Sequence, residues 1–164
     1  MYRCCIHIYL IGKTNSLFET MKAMAPLEHF THEFCESDVP SGAVSAADVI
    51  FAVLPGLDAE GTVRSLLSAK RSDAELIVLA EREQTPEIIR LLDGVKDMWL
   101  LPMSGEELQF RFLRWQQACK ADRDARETAH FLEATINSVP NLVWYKDKNG
   151  IHEKVNDSFC RIVN

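Results

Sequence analysis

The sequence predicts an α/β fold, a five-stranded parallel sheet doubly wound by helices. Short apolar runs alternate with helical patterns, which is the arrangement of strand–helix–strand units. Four of the five runs are nearly continuous in apolar residues, as expected of parallel strands covered on both faces, and the second alternates like a strand nearer an edge. The runs lie at residues 5–12, 29–35, 48–54, 75–80 and 97–102.

Helix-start signals stand between the predicted strands. Ser16 and Ser104 each precede a glutamate by three residues, which is the spacing of a capping box. Asp58 is placed to cap the helix after the third strand, and Thr85, followed by proline, opens another helix that ends at Gly94. Five strand–helix pairs then complete the sheet near residue 118.

The charge and hydropathy of the chain exclude two classes of partner. Acidic and basic residues are mixed along the chain, with a formal net charge of -6, whereas nucleic-acid-binding proteins usually carry a basic patch. No apolar run is long enough to span a membrane, and the first one resembles a strand rather than a signal peptide. We therefore expect a cytoplasmic protein with no nucleic-acid or membrane partner.

The five cysteines predict reduced thiols rather than disulfides. None forms a C-x-x-C pair or has the spacing of zinc ligands. His29, His32 and Cys35 are three residues apart, and on a strand that step points neighbours to opposite faces. We therefore predict no metal site and no cofactor. The cysteines are Cys4, Cys5, Cys35, Cys119 and Cys160.

A helical linker is predicted over residues 119–138. This stretch lacks glycine and proline, so the last helix of the sheet domain is expected to continue through it as a long rod. Small and apolar residues recur there at steps of three and four, which is typical of a coiled-coil seam. The alternative is a solvated single helix held by ion pairs. The seam comprises Ala118, Ala121, Ala125, Ala129, Leu132 and Ile136.

Residues 139–164 predict a hairpin followed by a short helix. Pro140 ends the rod, and two short strands flank a tight turn at Asn149 and Gly150. Asn156 or Asp157 is placed to cap the helix that follows. About thirty residues are too few to bury a core, so this segment is expected to begin a domain that continues.

Residues 1–118 resemble a response-regulator receiver domain. The resemblance is carried by "GVKDMWLLPMSGEEL" (94–108), where an aromatic residue on the fifth strand leads to a proline and a Ser-x-Glu-Glu-Leu helix start. "LPGLD" (54–58) is similar to the loop after the third strand. The resemblance implies the flavodoxin-like receiver fold and a role in two-component signal transduction.

The resemblance also implies four elements of phosphotransfer chemistry, and the sequence departs from each. A receiver has an acidic pair that holds Mg²⁺, a phosphoacceptor aspartate, a hydroxyl ending the fourth strand and a lysine before the proline. The corresponding positions hold Gly12 and Lys13, Phe51 or Val53, Ala80 and Leu101. We therefore expect a pseudo-receiver, which is not an enzyme.

Two alternatives to an inert site remain open. Asp58 lies in the loop after the third strand and is a possible atypical phosphoacceptor in a phosphorelay. The emptied site could instead bind a small anion, which Lys13 would attract.

Residues 132–164 resemble the opening of a PAS domain. "LEATINSVPNLVWYKDKNG" and "VNDSFC" are similar to the family's first hairpin and to the asparagine before its first helix. The resemblance implies a multidomain bacterial signalling protein whose output is a GGDEF diguanylate cyclase or, as the alternative, a histidine kinase.

A parallel homodimer is expected. Receivers often pair through their fourth helix, fifth strand and last helix, and apolar residues near residues 110–115 exceed what one buried stripe needs. The predicted interface comprises Ile88, Leu91, Leu92, Met98, Leu108, Phe112 and Trp115, together with Ala125 and Leu132 on the rod.

Overall fold

The computed structural model describes residues 4–13, 15–40, 42–54 and 58–163, without the side chains of Asn15 and Leu92. The chain divides into two compact units, residues 1–116 and 117–164. Within the described residues, no helix is both long and apolar enough to cross a membrane.

The first unit is built on a five-stranded parallel sheet, which confirms the predicted fold class. The strands are β1 (Cys4–Ile11), β2 (Phe30–Ser37), β3 (Val49–Val53), β4 (Glu75–Glu81) and β5 (Asp97–Leu101). Their order in the sheet is β2-β1-β3-β4-β5, so the chain winds in both directions from β1. The ends of the predicted runs differ from those of the observed strands by at most two residues.

Helices cover the sheet, with two departures from the prediction. The helix predicted from Thr85 to Gly94 is α-helical only over Thr85–Ile88 and continues as a 3-10 helix, Ile89–Gly94. Leu91 leaves the helical region there, with φ −113° and ψ 18°. The connection after β2 is a 3-10 helix, Gly42–Ala46, rather than a fifth full helix. The α-helices of this unit are α1 (Asn15–Ala23), α2 (Ala59–Ala69), α3 (Thr85–Ile88) and the start of α4 (Gly105–Ser138).

The helix caps confirm two of the predicted starts and correct one. The carboxylate of Asp58 accepts the Gly61 N–H at 2.9 Å, and the Ser104 hydroxyl accepts the Glu107 N–H at 3.1 Å. Ser16 is not a cap, because α1 begins one residue earlier, at Asn15.

An aromatic cluster joins α4 to the sheet. The ring of Phe51 on β3 lies 5.3 Å from Trp99 on β5 and 5.8 Å from Phe112 on α4, measured between ring centres. Trp115, one turn further along α4, contacts Phe51 and donates its indole N–H to Glu75 at 2.9 Å. The opposite face of the sheet packs Ile50, Ala52, Val78 and Ala80 against α2 and α3.

The second unit contains the later part of α4, a hairpin and a last helix. The predicted rod is confirmed, because α4 is 34 residues long and ends at Ser138. The strands β6 (Trp144–Lys146) and β7 (His152–Val155) are antiparallel, and α5 spans Asp157–Val163. In the predicted turn Gly150 has φ 82°. The backbone N–H groups of Ile151 and Asn149 donate to the carboxylate of Asp147, and these hydrogen bonds lower the pKa of that carboxyl group.

Phe51 gives a test of the aromatic core. Replacing it with alanine should lower the free energy of unfolding by about 3–5 kcal/mol, because the side chain is fully buried and leaves a cavity. The matched control is Phe110→Ala, where the ring is 64% exposed and a change within about 0.5 kcal/mol is expected. Urea denaturation of dilute protein measures both; equal losses would contradict the packing.

Candidate functional site

The candidate site lies at the carboxyl edge of the parallel sheet, where ligands bind in folds of this type. Strand β1 ends at Ile11 and is followed by Gly12 and Lys13, and β3 ends at Val53. The register pairs Ala80 near the end of β4 with Leu100, next to Leu101. Gly12, Lys13, Val53, Ala80 and Leu101, which were assigned to phosphotransfer positions from the sequence, therefore lie toward this edge.

Gly12 and Val53 are in close contact at the centre of the edge. Gly12 has φ 110°, a conformation that favours glycine. A Cβ at this position would lie 2.8 Å from the Val53 carbonyl oxygen and 2.9 Å from the Val53 Cβ. No side chain, an aspartate included, fits here unless the backbone shifts.

The structure separates the two positions proposed for the phosphoacceptor. Val53 is the last residue of β3 and lies against Gly12, so it occupies the edge. Phe51 points to the same face but lies two residues deeper, where it is fully buried in the aromatic cluster. Of the two positions, Val53 is thus the one that lies at the carboxyl edge.

The remaining positions are apolar or cationic. Ala80 is fully buried in the core, in the same cluster as Ile88, and Leu101 is partly buried. Lys13 is exposed. Magnesium requires oxygen ligands, and the side chains at these positions supply none. The charge of Lys13 favours an anion over a metal ion.

Asp58 and Glu81 are acidic residues near this edge, and each serves a helix start. The Asp58 carboxylate caps α2, and its backbone carbonyl accepts the Thr62 N–H at 3.2 Å. Glu81, at the end of β4, forms a reciprocal capping box with Gln84. Residues 55–57, which join β3 to Asp58, lie outside the described residues.

The predicted dimer face needs correction at four residues. Ile88, Leu108 and Phe112 are fully buried and Trp115 nearly so, because they fill the core of their own subunit. They cannot contact a partner without unfolding that core.

The other predicted interface residues differ in exposure. Leu91 and Met98 are partly buried against the core. The side chain of Leu92 lies outside the described residues. Ala125 and Leu132 are exposed.

Sequence reasoning assigned too little weight to Phe110 and Leu113. Both are exposed on α4, whereas the core stripe of this helix runs through Leu108, Phe112 and Trp115. The signal was available, since those three follow the i, i+4, i+7 spacing of a buried helical face and the two exposed residues do not.

His32 and Cys35 lie on opposite faces of β2, as their spacing predicts. The His32 ring packs against Phe112 and Trp115, while Cys35 lines a cavity on the other side with Tyr9. Within the part of the chain that the structure describes, neither ring nitrogen of His32 has a hydrogen-bond partner, and burial lowers the pKa of this imidazole.

Asn156 is the central polar residue of the second unit. It is fully buried, and its side-chain carbonyl accepts hydrogen bonds from the Phe159 N–H and the Val143 N–H. The bond from Phe159 confirms the predicted helix cap. Its amide donates to three backbone carbonyls, those of Ile136, Val139 and Asn141, at 2.9–3.3 Å. One side chain therefore ties the C-terminal end of α4 to the start of α5.

Comparison with known proteins shows the fold. No protein-family model matches the chain, and no curated protein matches its sequence. The signal receiver domain of a Vibrio parahaemolyticus protein is 13% identical, with a TM-score of 0.51, over 73% of this chain and 96% of that one. CpaE2 from Sinorhizobium meliloti is also 13% identical, with a TM-score of 0.50, over 65% of this chain and 99% of that one. The chain thus contains a receiver-like domain of the α/β flavodoxin type.

The close contact between Gly12 and Val53 predicts that the carboxyl edge does not accept a side chain at position 12. Gly12→Asp would restore an acidic residue there, and it should lower the free energy of unfolding by roughly 1–3 kcal/mol because of its positive φ and its contact with Val53. Lys13→Asp places the same side chain on the exposed neighbour, with an expected change within about 0.5 kcal/mol. Urea denaturation compares them, and equal stability would mean that the edge accepts a carboxylate.

Proposed function

We propose that this chain is a non-catalytic signal-relay and dimerisation module, a receiver scaffold that works without phosphorylation. The observation that carries the proposal is α4. This helix begins on the aromatic core of the first unit, through Phe112 and Trp115, and continues without interruption to Ser138.

The loss of phosphotransfer chemistry is supported by the contents of the carboxyl edge. Val53 lies against Gly12, and Lys13 stands beside them. A magnesium ion placed there would meet a cation and apolar groups instead of carboxylates. With that chemistry gone, the scaffold acts through its contacts.

Dimerisation is supported by the surface of α4. The residues of the predicted seam, from Ala118 to Ile136, are exposed, and Leu132 and Ile136 are large apolar side chains among them. Small residues at a helical seam let two helices approach closely. A second copy of the chain, aligned in parallel, covers this stripe.

Relay to the C-terminal segment is supported by Asn156. Because its amide bonds to the carbonyls of Ile136 and Val139, a shift or rotation of the end of α4 must move the start of α5 or break these bonds. By resemblance, this segment opens a PAS domain that passes the change to an output domain, a diguanylate cyclase in our proposal.

The seam can be tested with a matched pair of variants. Ala125→Glu introduces a charge on the predicted contact and should convert the dimer to a monomer in light scattering, as should Leu132→Glu. Ala134→Glu is the control, because Ala134 is also exposed and lies nine positions further along, roughly 2.5 turns away and so on the opposite side of the helix.

Unchanged far-ultraviolet circular dichroism would show that each variant keeps its fold. A dimer that survives both seam variants, or that Ala134→Glu disrupts equally, would contradict this contact.

A further inference from the structure

Three potential metal ligands lie together on the outer part of the sheet, away from its carboxyl edge. Cys5 and His7 are two residues apart on β1, so their side chains share one face. Glu33 on β2 is the direct register partner of His7. This arrangement cannot be predicted from local sequence patterns, because the parallel register brings together residues that are far apart in the chain.

The distances fit a metal site. One ligand atom from each of the three side chains lies within 4.8 Å of the other two. His7 Nδ1 and Glu33 Oε2 are 3.2 Å apart. In a tetrahedral zinc site with bonds of about 2.0 Å, a nitrogen and an oxygen ligand are roughly 3.3 Å apart. The His7–Glu33 pair is thus already spaced as two ligands of one ion.

We propose that Cys5, His7 and Glu33 bind a divalent cation of the zinc class. A thiolate, an imidazole and a carboxylate form the mixed S, N, O donor set that zinc takes in proteins. The side chains of His7 and Glu33 are 53% and 68% exposed, so the ion reaches them from solvent. A cavity of about 230 Å³ beside His7 and Glu33 leaves room for water as a fourth ligand.

The backbone that presents His7 is well held. Asp48 accepts the His7 N–H with its carboxylate at 2.9 Å and donates its own N–H to the His7 carbonyl, also at 2.9 Å. Arg71 fixes the other carboxylate oxygen of Asp48 at 3.0 Å. These bonds position His7, and a bound ion would then attach the edge strand β2 to β1.

The competing explanation is an exposed ion pair between His7 and Glu33, to which Cys5 is incidental. The thiolate distinguishes the two, because an ion pair needs no sulfur and a metal site of this composition does. Cobalt(II) substitutes for zinc and gives a charge-transfer absorption in the near ultraviolet when a thiolate binds it.

The test is a titration of the full, reduced chain with cobalt(II). We expect one equivalent to produce the thiolate band and zinc to displace it. Cys5→Ser should abolish the band, whereas Cys4→Ser should keep it, because Cys4 points to the opposite face of β1. His7→Gln and Glu33→Gln should each weaken binding by roughly tenfold or more, since even partners outside the ligand set cost about 10–100-fold.

A second measurement uses the unaltered protein and so does not depend on the folding of variants. Zinc should slow alkylation of Cys5 by iodoacetamide, read by peptide mass, while the exposed Cys160 reacts at its original rate. Absence of the thiolate band, a band that persists in Cys5→Ser, or alkylation of Cys5 that ignores zinc would each overturn the proposal.

Discussion

The contact between Gly12 and Val53 closes the carboxyl edge of the sheet at its centre. The end of β1 and the end of β3 lie against each other here, and the positive φ of Gly12 favours glycine. An acidic side chain at this point would collide with the Val53 backbone. The centre of the edge is therefore closed by packing, and an acidic side chain at position 12 would require the backbone to shift.

The same strand, β3, also carries a residue of the aromatic core. Two residues before Val53, Phe51 is fully buried and contacts Trp99, Phe112 and Trp115. Burying such a ring contributes about 1.5–3 kcal/mol, whereas a buried carboxylate without a partner costs free energy. Apolar packing on β3 thus anchors the first turns of α4, the helix that we propose as the relay. Asn156 anchors the other end of that helix through backbone carbonyls.

Patterns along the chain were enough to predict the sheet and the long helix. Continuous apolar runs marked the strands, because strands covered on both faces have no polar side, and the absence of glycine and proline after residue 105 allowed α4 to continue. The i, i+4, i+7 spacing of Leu108, Phe112 and Trp115 marks a buried helical face. These residues and Ile88 were nevertheless assigned to a partner, because receivers often pair through the elements that carry them, and the structure shows them buried in their own subunit. The Cys5, His7 and Glu33 cluster depends on the register of β1 and β2, which no local pattern encodes.

The proposal that the receiver-like domain works without phosphorylation can be tested by the intact mass of the protein after incubation with acetyl phosphate and Mg²⁺. A receiver domain with a complete acidic pair, treated in parallel, serves as the positive control. We predict that this chain gains no phosphoryl group, because the side chains of Gly12, Lys13 and Val53 supply no oxygen ligand for a metal ion and the Asp58 carboxylate is engaged as a helix cap. A stoichiometric gain of one phosphoryl group, mapped to Asp58 by peptide mass, would contradict the account.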